Sequence, residues 1–303
     1  MTLVEALSSV SSVVAAELRP PRAELEAADG MDAWIDTYHA VRNLTKRPAY
    51  VFLTDSAVGA PEEDNLRHLV TNLGADVERD HVVPFLTCKH PLDYCLAYAE
   101  RARQYGFPAL VVLGGDRRLG APRCVEHAWQ LRRRIRERDP RLLLGGWTNP
   151  NADARTQVGH LVAPEFTAEF FLTQIVSHHN LAPVDRFVAE GRRQGLAIPG
   201  LFGVFFYRSA NRRTLAMLAD FLPVPAPELT AEFGSGATAE QVAARTLRAL
   251  IDLGVRHFYV SNLPLGAPGE TLERILRLVA GDPERSGIGG QGSGINGRGD
   301  TPY

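Results

Sequence analysis

An eightfold alternation of short aliphatic or β-branched runs with longer segments of three- and four-residue apolar spacing leaves this chain few folds to choose from. The runs are Val13 to Leu18, Tyr50 to Asp55, Val82 to Cys88, Ala109 to Gly115, Leu142 to Trp147, Phe170 to Ile175, Pro199 to Phe206 and His257 to Leu263. Runs without polar alternation are what strands buried on both faces require, so they read as a parallel sheet covered by helices. Between them, Trp34, Tyr38, Val41 and Leu44, and then Leu66, Val70 and Leu73, carry the helical period. Eight strand-then-helix repeats exceed the five or six strands of an open doubly wound sheet and match a closed (β/α)8 barrel. The 303 residues fit one such domain.

Two segments depart from the repeat. The stretch from Leu222 to Gly254 exceeds one helix and is broken between Pro223 and Pro227, which predicts an extra helical segment before the eighth strand. From Gly281 onward glycine dominates and little is apolar, so residues 1–280 read as the catalytic barrel and 281–303 as a flexible tail. The Arg298-Gly299-Asp300 tripeptide in that tail reads as chance.

Composition excludes several functions. A net charge of −2 provides no footprint for nucleic acid or an anionic membrane, and the basic run Arg132 to Arg138 reads as a solvated helix face. The three cysteines, Cys88, Cys95 and Cys124, have no paired spacing and form neither a disulfide framework nor a zinc site, which fits a reducing cytoplasm. No run reaches the roughly 18 apolar residues of a spanning helix, and the amino terminus lacks the basic start of a signal peptide. His178 and His179 are adjacent rather than one helical turn apart, so no metal is expected.

Barrel chemistry sits at the carboxyl ends of strands. There the sequence places Glu17, Thr54-Asp55, Thr87, Asp116, Thr173-Gln174 and Ser261-Asn262. Glu17 interrupts an apolar strand; burial would raise its pKa and suit a general acid, while an ion pair with Arg19 is the structural alternative. Asp116 follows Gly114-Gly115, either facing a ligand or capping the next turn. No phosphate-loop fingerprint accompanies those glycines. Gln174 is either a satisfied core amide or a holder of a heterocycle. Among Phe202, Phe205, Phe206 and Tyr207, most read as core, with one or two available to stack on a flat ligand; Tyr207 is the candidate for substrate contact.

In this order, the motifs resemble the methylenetetrahydrofolate reductase family across roughly the whole barrel. Ala16-Glu17-Leu18-Arg19-Pro20-Pro21 resembles the family's FEFFPP opening, Leu86-Thr87-Cys88 its HLTC and Leu113-Gly114-Gly115-Asp116 its LRGD. Leu172-Thr173-Gln174 is similar to the ITQ strand, and the segment from His257 to Asn262 to HFYTLN. The resemblance implies a (β/α)8 fold and reduction of 5,10-methylenetetrahydrofolate by a nicotinamide nucleotide, NADH or NADPH. It makes Glu17 the catalytic acid, Asp116 the pterin-facing carboxylate and Gln174 the contact to substrate and reductant. Thr54, Thr87 and Trp147 then line the nicotinamide pocket. The family carries FAD, yet its HLTC histidine is Phe85 here, its LRGD arginine is Gly114, its HP pair is Asn149-Pro150, and its lysine is missing from the Ala152 to Glu165 helix. Loss of these cationic and hydrogen-bonding groups implies a flavin-independent form. The competing readings are a non-redox pterin-binding methyltransferase barrel and a catalytically silent folate-binding barrel. Oligomeric state stays open.

Overall fold

The computed structural model describes residues 1–9, 11–21, 27–47, 49–55 and 77–281. The expected helix carrying Leu66, Val70 and Leu73, and the glycine-rich tail, lie outside them. Eight strands close in sequence order into one parallel barrel: β1 (Val14–Leu18), β2 (Tyr50–Leu53), β3 (Val82–Thr87), β4 (Ala109–Leu113), β5 (Leu143–Thr148), β6 (Phe170–Val176), β7 (Gly200–Phe205) and β8 (His257–Ser261). Pairing of β1 with both β2 and β8 completes the ring.

The period-two alternation of strand side chains sorts each strand between two cores. Ala15, Phe52, Phe85, Val111, Leu172 and Tyr259 fill the barrel interior. Ala16, Val51, Leu86, Val112, Val204 and Val260 face the outer layer, where the helices bury their apolar stripes. The helices among the described residues are α1 (Leu3–Ser8), α2 (Ala27–Thr45), α3 (Leu92–Gln104), α4 (Ala128–Arg138), α5 (Ala154–Val162) and α6 (Ala182–Arg193). They continue with α7 (Arg212–Ala219), α8 (Ala226–Gly234), α9 (Ala239–Asp252) and α10 (Pro268–Ala280). The proline-broken stretch before the eighth strand holds α8 as well as α9, and Thr238 starts α9 with a capping box to Gln241. Helix α1 is an element that the strand-then-helix pattern does not reveal. It places Leu3, Ala6 and Leu7 in the same buried cluster as the barrel interior.

The basic run is not simply a solvated face. Arg132 is 4% exposed, donates to the carbonyls of Phe166 (2.9 and 2.7 Å) and Val112 (3.3 Å), and stacks over the Phe166 ring. Burial pulls its pKa down to about 10, so it stays charged at neutral pH while tying α4 to the barrel.

Candidate active site

The inward alternation carries Glu17, Thr87, Trp147, Phe205 and Ser261 to the carboxyl-terminal rim, with Thr54 one step beyond β2 on the same face. Glu17 is level with Phe52 on one side and Ser261 on the other. The Ser261 hydroxyl donates to Glu17 Oε1 at 2.8 Å. The expected alternative, an ion pair with Arg19, does not form among the described residues. Protein crowds the carboxyl although the residue keeps a partial opening to the mouth. Desolvation raises its pKa above the ordinary value, opposed by the Ser261 bond, which favours the ionised form.

Below Glu17, Tyr259 crosses the interior and donates to the Thr173 carbonyl. Gly203 makes this crossing possible, since a Cβ there would run into the phenol. Burial, and then the neighbouring Glu17, raise the Tyr259 pKa, so it remains a neutral donor. Sequence reasoning puts Ser261 at a strand end without assigning it a role and passes over Tyr259, although the alternation His257, Tyr259, Ser261 sets both on the inward face.

Asp116 lies on the loop after β4. Its Oδ1 accepts from the backbone N–H groups of Arg118 at 2.6 Å and Leu119 at 2.9 Å, the capping geometry that is the alternative to ligand contact. Those two bonds hold its pKa below the ordinary carboxylate value. The register of β6 against β7 shifts between Leu172 and Ile175, a bulge that places Gln174 off the regular ladder. Gln174 Oε1 accepts from the Ile175 N–H at 2.9 Å, and its Nε2 has no hydrogen bond among the described residues. Thr87 is buried, and its N–H donates to Asp55 Oδ2 at 2.6 Å. Asp55 also pairs with His90 Nε2 at 3.0 Å, linking the β2 and β3 ends. Trp147 is 43% exposed at the rim, open to a ligand face.

Tyr207 sits apart. It packs with Leu215, Leu229 and Val242 under α7, α8 and α9, and its buried hydroxyl has no partner among the described residues. Burial pushes its pKa up to about 12. Shallow grooves elsewhere, one of about 520 Å3 lined by Arg136, Phe166, Glu169 and Ile198, lie away from the rim and do not include the buried acid.

Two positions bear on the expected independence from flavin. Phe85 is 5% exposed and packs its ring 5.7 Å from Phe52, offering no donor. At Gly114 an added Cβ would stand 2.7 Å from the Arg123 guanidinium, which fills the space a side chain would need.

Fold and site together define a (β/α)8 barrel with a buried acid at its carboxyl-terminal mouth. No family model matches the chain, and no curated protein matches it. Among solved structures, it is similar to an uncharacterized protein from Clostridium thermocellum that binds two copies of 5-methyl-5,6,7,8-tetrahydrofolic acid, at 14% identity and a TM-score of 0.63, covering 89% of this chain and 94% of that one. Looser matches are dihydropteroate synthase from Thermus thermophilus, at 15% identity and TM-score 0.42 over 87% and 93% of the two chains, and a dihydrodipicolinate synthase, at 11% and 0.48 over 89% and 77%. The first likeness shows a shared fold. No helix among the described residues is long and apolar enough to cross a membrane.

Proposed function

We propose that this protein reduces 5,10-methylenetetrahydrofolate to 5-methyltetrahydrofolate with hydride taken directly from NADH or NADPH. The observation that carries the reading is the Glu17 carboxyl, buried at the barrel mouth against Ser261, with its pKa raised by that burial. The resemblance of the ordered motifs supports the substrate, as does a neighbour of the same fold that binds a methylated tetrahydrofolate.

The reaction needs one acid and one anion. Opening the five-membered ring breaks the bond between the methylene carbon and N10 and leaves a cationic iminium at N5. Glu17 supplies the proton that N10 takes up. Asp116, kept ionised by its two backbone donors, stabilises the positive charge. Two carboxyls with pKa values displaced in opposite directions are how acid and base roles separate at one pH. Hydride from nicotinamide C4 then adds to the iminium carbon, giving the methyl group and an oxidised nicotinamide, and solvent returns a proton to Glu17. Gln174 positions substrate and reductant, Tyr207 backs the substrate through the neighbouring Phe205, 4.9 Å away, and Thr54, Thr87 and Trp147 line the nicotinamide side. In this reading no step passes through flavin; the replacement of a histidine by Phe85 and of an arginine by Gly114 supports it.

The test is methylenetetrahydrofolate-dependent oxidation of NADH or NADPH by the purified chain, with its visible absorption spectrum. Turnover by colourless protein supports the proposal. Folate binding without nucleotide oxidation would replace it with a non-redox folate-binding barrel.

A further inference from the structure

A second cluster of chemistry lies beyond β6, outside the proposed reaction. His178 and His179 form a single 3-10 turn after that strand, and Glu232 comes from the last turn of α8. Adjacency in sequence argues against a shared ion, because neighbouring histidines do not present one helical face. Folding changes the count by bringing in the third donor from another element. One ligand atom from each residue lies within 4.8 Å of the other two. His179 Nε2 stands 3.0 Å from Glu232 Oε2, and His178 Nε2 stands 3.4 Å from Glu232 Oε1. Donors around a tetrahedral zinc with bonds of about 2.0–2.1 Å lie about 3.3 Å apart, so these separations are those of a coordination edge.

The surroundings prepare the donors. His178 Nδ1 is 2.8 Å from the Thr246 hydroxyl, whose own proton goes to the Val242 carbonyl one helical turn back. In the tautomer that carries the hydrogen on Nδ1, Thr246 accepts it and the Nε2 lone pair faces Glu232, free for an ion. The same arrangement, with the remote imidazole nitrogen bound to a second group, orients histidine ligands in metal sites. Arg245 donates to Glu232 Oε1, fixing the carboxylate and leaving Oε2 for an ion. Its charge offsets that of Glu232, so affinity rests chiefly on the two imidazoles. The side chains of His178, His179 and Glu232 are 17, 13 and 9% exposed, shielded yet reachable.

We propose that His178, His179 and Glu232 form a binding site for a divalent transition-metal ion of zinc type, clamping the turn after β6 to helix α8. Two imidazoles and one carboxylate suit zinc or cobalt, and a fourth position remains for water. The clamp would fasten the segment that follows Gln174 to the helices inserted between β7 and β8.

The full-length chain, stripped with a chelator, is titrated with zinc chloride by calorimetry and by thermal unfolding, and with cobalt(II) by visible spectroscopy. One equivalent is expected to bind. At about a hundredfold excess over Kd it should raise Tm by about 4 °C, and cobalt should give a tetrahedral spectrum. His179→Ala and Glu232→Gln, each compared with its own metal-free Tm, should weaken zinc at least about tenfold. The double variant Cys88→Ser/Cys124→Ser should keep it. No zinc response in the wild-type chain, a response that survives in both ligand variants, or one lost in the cysteine variant would overturn the site. The first of these outcomes would leave a proton between His178 and Glu232 instead of a metal.

Discussion

Glu17 joins two measurable consequences in one carboxyl. Its native pKa is raised, so between the unfolded value and the native value the folded chain holds a proton that the unfolded chain has lost. Stability falls as pH rises through that window. Glu17→Gln removes the penalty: its Tm should exceed that of the wild-type chain at neutral pH, and the difference should vanish below the ordinary glutamate pKa. The same variant should lose about a hundredfold or more in turnover, as removal of a general acid does, with folate affinity nearly unchanged. Coincident Tm curves across pH would place the carboxyl in water. Ser261 tunes this group by hydrogen-bonding the ionised form, so Ser261→Ala should move the alkaline limb of the kcat profile upward; an unmoved limb would separate the serine from catalysis. Asp116 allows a finer distinction. Asn can still accept from Arg118 and Leu119, whereas Ala cannot, so Asp116→Asn preserves the turn and deletes only the charge. A large fall in kcat/KM for Asp116→Asn marks the charge as functional; a fall confined to Asp116→Ala would assign the residue to the turn alone.

At the scale of elements, all eight strands are legible in the sequence within two residues because strands buried on both sides must be apolar throughout. Helix α1 is not, since its six residues are too few to show a period. The Arg132 to Arg138 run misleads for a related reason: charge in a sequence reports composition, while only the packing of α4 shows that Arg132 has its own acceptors. Strand β7 carries the sharpest test of packing. Gly203→Ala would push a methyl into Tyr259 and should destabilise the fold by about 1–3 kcal/mol by denaturant unfolding. It should also slow turnover, because Tyr259 lies under Glu17. A variant of wild-type stability would mean that the phenol has room to move aside.

For the whole molecule, the decisive question is whether hydride is stored or passed directly. A flavin would let the two substrates alternate at one site. Without it both must be bound together, with donor and acceptor carbons roughly 3 to 3.5 Å apart. Protein purified without added FAD should be active, and initial-rate lines should intersect when both substrates are varied. Parallel lines, or activity that appears only after FAD is added, would restore a flavin despite Phe85 and Gly114.

Local patterning along the chain is enough to dictate the barrel and the order of its strand-end polar residues, because strand burial and strand-then-helix repetition are both local. It also places Glu17 at a strand end, since an acid inside an apolar run stands out wherever the strand lies. What surrounds each residue is settled only by folding. Closure of the barrel brings Ser261, 244 positions away, onto Glu17, and the folding of α8 against the turn after β6 gathers His178, His179 and Glu232. Such contacts depend on barrel register and helix docking, and spacing along the chain carries neither.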